Sequence, residues 1–320
     1  MVSRRNSADI NQDEELRLLR AHGLSPAALL ARGTEAHVYA TGTDRVLKVY
    51  AGVDQADTLR TLQDFYSRLR LNGVGFALPV IHDITPGQDL LAVTEQRIAG
   101  SPISERPEHG HDADLQAAYL DAVVGLGQAR VEPAYDRVLL LAGQQQPGHQ
   151  ASDWHGFLRD MIRHQQQSLG LTLELDWPGA AAGVARLLAL FSGRYVGRVG
   201  VIHGDLFPGN VLVDDNGTVT GIIDFGTFTM FGDPLYDLAT ACAYYNMYDS
   251  DQAHVRAKLL NQAAARVGDQ ARSRLQAYVL VAALLSCDLY PDPQVLIRQT
   301  GHWKWALSIL NDPASWELLS

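Results

Sequence analysis

Two acids and an amide, Asp205, Asn210 and Asp224, sit in one short block of β-like sequence, and that block constrains the chain more than any other. It reads V-I-H-G-D-L-F-P-G-N-V-L-V from Val201 to Val213. After the turn Asp214-Asp215-Asn216-Gly217 it continues to G-I-I-D-F-G, Gly221 to Gly226. A strand at Val201-Ile202 delivers a polar loop holding one carboxylate and, further on, one amide. A hairpin follows, Val211 to Val213 against Val219 to Ile223, with Asn216-Gly217 at its turn. It returns the chain to the same end of the sheet and presents the second carboxylate, Asp224. Two carboxylates and an amide on adjacent strand ends make a hard-oxygen site. Mg²⁺ suits it, because that ion takes one or two carboxylates and completes its shell with phosphate oxygens and water.

Phosphoryl transfer needs those parts. One carboxylate orients and deprotonates the attacking hydroxyl, and others hold the metal that neutralises the phosphates. His203, Asp205 and Asn210 reproduce the H-R-D-x-x-x-x-N spacing of protein kinases, with Gly204 where Arg would stand, and Asp224-Phe225-Gly226 reproduce D-F-G. The glycine matters: H-G-D-x-x-x-x-N is the pattern of the aminoglycoside phosphotransferase and choline kinase family of small-molecule kinases. The chain resembles that family from Gly33 to about Ala241, most specifically over Val201 to Ala239 with its trailing G-D-P-L-Y-D-L-A.

The resemblance implies an α+β, two-lobed, protein-kinase-like fold. It has a small antiparallel-sheet N-lobe (residues 1–95), a hinge (96–100) and a mostly helical C-lobe (101–320) carrying the catalytic loop and acceptor site. It implies Asp205 as catalytic base and Asn210 and Asp224 as magnesium ligands. His203 orients the loop at the nucleotide site, and Asp237 braces it. Lys48, in V-L-K-V-Y, matches the family's phosphate-binding lysine behind a nucleotide-covering hairpin that starts at Gly33. Glu95, Gln96 and Ile98 fall in the hinge pocket for adenine. One departure stands out. The family carries a Glu on the N-lobe helix to pair with the lysine, and the helix from Gln55 to Leu71 has none. Asp64 or Gln63 is the expected substitute, or else the helix is displaced.

The hydrophobic pattern agrees with that architecture. Val38 and Ala40, then Val46, Leu47 and Val49, read as two strands around Thr41–Asp44. Leu59, Leu62, Phe65, Tyr66 and Leu69 recur at helical spacing, and two more strands, Ala77 to Ile84 and Asp89 to Thr94, flank Pro86-Gly87. Beyond them come helices: Leu115 to Gly127, one from Trp154 to Gln165, one running through Val184 to Tyr195, and more from Leu235 to the end. Gly143 to Ser152 is the expected loop or insertion.

The net charge of −10 excludes a general nucleic-acid binder, since phosphate contacts need clustered Lys and Arg. It tilts the acceptor towards a cationic molecule. Cys242 and Cys287 read as buried thiols of a reducing compartment. No apolar run is long enough for a membrane helix, so no membrane partner is expected and the cytoplasm is the expected location. His109, His111, His149, His155 and His164 fit no zinc spacing and read as polar loop residues. Tyr244, Tyr245, Tyr248 and Asp249 are candidates for the acceptor pocket. The expected activity is transfer of the γ-phosphate of ATP (or GTP), with Mg²⁺, to a hydroxyl of a small acceptor such as an aminoglycoside, amino-sugar or amino-alcohol. The alternative is a nucleotide-binding pseudokinase. Oligomeric state cannot be read from the sequence.

Overall fold

The computed structural model describes residues 7–33, 35–71, 73–107, 109–135, 137–141, 147–289 and 295–319. Helix α1 (Gln12–Ala21) is capped by Asn11, whose side chain accepts the N–H groups of Asp13 and Glu14. It leads to strands β1 (Leu29–Arg32), β2 (Ala36–Ala40) and β3 (Arg45–Ala51). Helix α2 (Ala56–Arg68) and the short β4 (Leu69–Arg70) come next, before β5 (Ile81–Pro86) and β6 (Leu90–Gln96). Apart from β4, these strands form one antiparallel sheet in the order β1-β2-β3-β6-β5.

Alternation along the strands gives this sheet two working faces. Leu47, Val49 and Ala51 of β3 pack with Leu90 and Ala92 of β6, Tyr39 of β2 and Leu19 of α1. Tyr50 joins Leu91 and Val93 in the larger core with Leu59, Leu62 and Phe65 of α2. Two acids of α1 tie it to the sheet. Glu14 Oε1 accepts the N–H groups of Gln88 and Asp89 at the β5–β6 turn, at 3.0 and 2.8 Å. Glu15 Oε1 accepts the Tyr39 hydroxyl at 2.7 Å and hydrogen-bonds His37 Nδ1 at 2.6 Å.

After the sheet come β7 (Ser101–Pro102) and α3 (Ala113–Leu126), then β8 (Arg130–Val131), which pairs with β4. Helices α4 (Trp154–Asp176) and α5 (Ala180–Leu190) follow. The central block then forms β9 (Gly200–Ile202), β10 (Val211–Val213), β11 (Val219–Ile222) and β12 (Met230–Gly232). β10 lies between β11 and β7, and β9 pairs with β12. The chain closes with α6 (Leu235–Tyr244), α7 (Gln252–Val267), α8 (Arg272–Ser286), α9 (Gly301–Leu310) and α10 (Ala314–Glu317). Helix α8 is apolar on nearly every side, and Leu275, Tyr278, Val279, Leu280 and Leu284 are all buried, so it forms the centre of the helical lobe.

Several expected boundaries shift. Ala77 to Val80 lies outside the five-stranded sheet, because Pro79 removes a ladder donor there. Ala77 instead exchanges hydrogen bonds with β11, its N–H to the Thr220 carbonyl and its carbonyl from the Ile222 N–H. The helix expected to reach Tyr195 stops at Leu190, just before Ser192-Gly193. Of the expected loop from Gly143 to Ser152, residues 147–150 form a turn, 151–152 are outside helix and strand, and 143–146 lie outside the described residues.

Candidate active site

The β9–β10 loop is shaped by one glycine. Gly204 has φ +82°, a conformation costly for any residue with a β-carbon. A β-carbon there would also collide with the Phe228 carbonyl. Position 204 therefore cannot hold the arginine of the protein-kinase pattern in this backbone. The turn is fastened from below by Asp237, on the first turn of α6. Its Oδ2 accepts the His203 N–H at 2.6 Å and its Oδ1 the Gly204 N–H at 2.9 Å. Burial pushes this carboxyl up to about 7 despite the two donors, with the Asp205 charge adding to the rise.

His203 is buried and makes two hydrogen bonds of opposite sense. Its Nδ1 accepts the Asp205 N–H at 3.3 Å, which leaves Nε2–H to donate to the Ile223 carbonyl at 2.8 Å. The ring also lies 4.4 Å from that of Phe225, centroid to centroid. Burial lowers its pKa to about 4, against the opposing pull of the Ile223 carbonyl and Asp224, so the ring is neutral at pH 7. Its work is to join the Asp205 loop to the Asp224 strand.

Asp205 is only partly covered, and its carboxyl faces the cavity. Burial, then the charges of Asp224 and Glu35, push it up to about 6, which suits a general base near neutrality. Asn210 Nδ2 donates to the Asp205 carbonyl at 2.9 Å, and its backbone carbonyl accepts the Ile223 N–H. Its side-chain oxygen is thereby left as the group that can face a cation. Asp224 has φ +62°, the one non-glycine residue with positive φ among the described residues. That strained backbone lifts its carboxylate into the cleft, a pattern typical of functional positions. Phe225, next in sequence, packs against Phe65 and Tyr66 of α2 at 5.8 and 5.7 Å.

Lys48 closes the arrangement from the N-lobe. Its Nζ donates to Asp224 Oδ1 at 2.9 Å and lies 3.0 Å from Glu95 Oε2. Burial opposes its charge, but Asp224 and Glu95 more than compensate and hold its pKa well above the ordinary lysine value. Lys48 in turn depresses the Asp224 pKa. Neither substitute expected on α2 reaches the lysine. Asp64 pairs with Arg68 and accepts the Tyr135 hydroxyl, and Gln63 donates to the Ile81 carbonyl.

Gly33, Lys48, Glu95, His203, Asp205, Asn210 and Asp224 all line one cavity of about 860 Å³ between the sheet and the helices. Gln96 and Ile98 are not among its lining residues. The Gln96 N–H goes to the Val80 carbonyl and the Arg97 N–H to that of Asp44, and Ile98 packs closely over Gly221. Glu95 was expected, with Gln96 and Ile98, in the hinge pocket for adenine. Here β6 is flanked by β3 and β5 at that position, and it is the Glu95 side chain that enters the cleft. The far end of the cavity is lined by Tyr244, Tyr245, Tyr248, Asp249 and His302, with Met161 and Leu285 behind. The Tyr248 hydroxyl hydrogen-bonds His302 Nδ1 at 3.1 Å. Among the described residues no three His, Cys, Asp or Glu side chains converge on a metal-sized site. Both cysteines are buried and free, and no helix among the described residues is long and apolar enough to cross a membrane.

A family model described as "Phosphotransferase enzyme family" matches residues 26–278. Among solved structures, a thermostable aminoglycoside phosphotransferase APH(4)-Ia bound to AMP-PNP and hygromycin B aligns with a TM-score of 0.65 at 20% identity. The alignment covers 93% of this chain and 96% of that one. The gentamicin complex of APH(2")-IIa aligns with a TM-score of 0.58 at 14% identity, over 97% and 98% of the two chains. A macrolide 2'-phosphotransferase type I aligns with a TM-score of 0.54 at 14% identity, over 95% and 98%. These likenesses establish the two-lobed kinase-like fold. No match was found among curated protein sequences.

Proposed function

The chain belongs to the phosphotransferase enzyme family, and from that premise we propose that it transfers the γ-phosphate of ATP (or GTP) to a hydroxyl of a small acceptor bearing an amino group. The observation that carries this reading is the convergence of Asp205, Asn210, Asp224 and Lys48 on one cavity. The nucleotide belongs at the N-lobe end, where Gly33 and Lys48 face it. Lys48 offsets phosphate charge, and Asn210 with Asp224 are the residues to hold Mg²⁺. When bound, that ion neutralises charge developing on the β- and γ-phosphates. Asp205 receives the proton of the acceptor hydroxyl and fixes the direction of its attack. His203 and Asp237 act on the backbone, keeping the Asp205 loop in register with Asp224.

The acceptor belongs at the other end. Tyrosine faces there suit the apolar side of a sugar ring or an alkylammonium group. Among the described residues at that end, Asp249 is the one carboxylate available to pair with an amine. Amino-sugars, amino-alcohols and aminoglycosides meet those requirements, as do the aminoglycosides named with the solved neighbours. A pseudokinase reading loses its main support, because Glu95 supplies the lysine partner that the helix lacks. The test is labelled phosphate transfer from γ-labelled ATP, with Mg²⁺, to a panel of amino-alcohols, amino-sugars and aminoglycosides. Asp205→Ala should lower turnover by roughly 10²–10⁴. Full activity in that variant, or no labelled product from any acceptor, would overturn the proposal.

A further inference from the structure

We propose that Glu95 is the positioning residue for Lys48, so that the lysine of this site is set by the neighbouring strand and not by helix α2. The proposal rests on the kinase reading of the site for its meaning, and on geometry for its evidence. β3 and β6 are adjacent, with Lys48 opposite Val93 and Val46 opposite Glu95. Side chains two residues apart on one strand share a face, which puts Glu95 diagonally beside Lys48. The two groups meet at 3.0 Å, and both are largely buried, with side-chain exposures of 13% for Lys48 and 5% for Glu95. A carboxylate so covered needs a partner. Asp224, the other partner of Lys48, is 55% exposed and open to the cleft. The closed pair is therefore Lys48–Glu95, and Asp224 is the partner free to turn to a cation.

Helix α2 contributes something different. Phe65 and Tyr66 face Phe225, and Leu62 lines the cavity, so the helix offers apolar contact where protein kinases use an acid. In those enzymes the lysine–helix ion pair must form for activity, and movement of the helix controls it. Here the ion pair lies within one sheet, between hydrogen-bonded neighbours, and no residue of α2 is part of it. The lysine is thus pre-placed without a helix switch.

Two measurements on the full chain test this, neither needing the acceptor. The first is acylation of Lys48 by acetic anhydride, followed by mass spectrometry without nucleotide. Glu95→Gln should speed labelling several-fold, while Asp64→Asn on α2 leaves it unchanged; equal rates in wild type and Glu95→Gln would overturn the pairing. The second is a double-mutant cycle in the affinity for ADP with Mg²⁺, read by calorimetry. Glu95→Gln should weaken binding about five- to fifty-fold in the wild-type background and less than two-fold in Lys48→Ala. Glu95→Asp, which keeps the charge, should lie between them and serves if Glu95→Gln unfolds. Additive losses would mean that Glu95 is merely structural and would sink the positioning role. If ADP binds to no form, the kinase reading falls as well, whereas unchanged labelling alone removes only Glu95.

Discussion

Gly204 and Phe228 approach so closely that the Phe228 carbonyl occupies the space a β-carbon at position 204 would need. With φ at +82°, two penalties coincide at this residue. The left-handed backbone costs a β-carbon about 1–2 kcal/mol, and overpacking adds roughly 1–3 kcal/mol. Gly204→Ala should thus lose about 2–5 kcal/mol of stability, read as a lower urea midpoint at unchanged slope. Turnover should fall with it, since the loop that carries Asp205 must move to relieve the clash. A variant as stable and active as wild type would mean that the turn is not held as described.

Asp237 is the complement of that glycine, a carboxylate with one oxygen for each of two backbone N–H groups. Asp237→Asn keeps the size but replaces one acceptor with an NH₂ that faces a donor. The expected cost is about 1–3 kcal/mol, the usual penalty of leaving a buried donor unsatisfied. The variant should keep wild-type affinity for the nucleotide while losing turnover, because both hydrogen bonds of its carboxylate go to the loop that carries Asp205. A weaker nucleotide complex with normal turnover would contradict that division.

That Asp205, Asn210 and Asp224 would meet at one cavity was legible in the sequence because the information is local. His203, Asp205, Asn210 and Asp224 are spaced by a loop and a hairpin, and the hairpin pairs Val211 to Val213 against Val219 to Ile222, one residue short of the expected end at Ile223. The partner of Lys48 was not legible, because it depends on how β3 and β6 pair across a long intervening segment. The motif suggested a helix acid, and α2 has none at the right place. A signal did exist: Leu91, Val93 and Glu95 alternate on one face of β6, as Val46, Lys48 and Tyr50 do on β3. A buried acid and a buried lysine on matching faces are each other's natural partners. The β9–β12 pair was missed because strands of three residues are too short to show a period. The place of α1 on the sheet was missed because Glu14 and Glu15 find their partners only in the folded chain.

His203 gives a pH dependence of stability with a definite sign. Its pKa is about 4 when folded, against an ordinary value of 6.5. The unfolded chain therefore takes up the proton first, and stability is lost as pH falls from about 6.5 towards 4, with no contribution above that window. The full effect is on the order of 3 kcal/mol. His203→Gln, which can still donate to the Ile223 carbonyl, should lack this component. Denaturant unfolding of both proteins between pH 4 and 7 isolates it, because other titrating groups cancel in the difference. Parallel curves would show that His203 is not buried in its neutral form.

The last prediction concerns Asp205, the proposed base. Asp205 titrates near 6, raised by burial first, then by the charges of Asp224 and Glu35. Only its ionised form accepts a proton, so kcat/KM should fall roughly tenfold per pH unit below about 6 and level off above it. Glu35 supplies a test of the cause. It lines the same cavity, and its charge is one of those that raise the Asp205 carboxyl. Glu35→Gln removes one like charge, which favours ionisation of Asp205, and the acid limb should shift to lower pH. The plateau above the limb reads other effects of the change, such as altered nucleotide binding, separately from its midpoint. A limb that stays in place, or moves upward, would show that the group titrating near 6 does not feel Glu35 and is not Asp205.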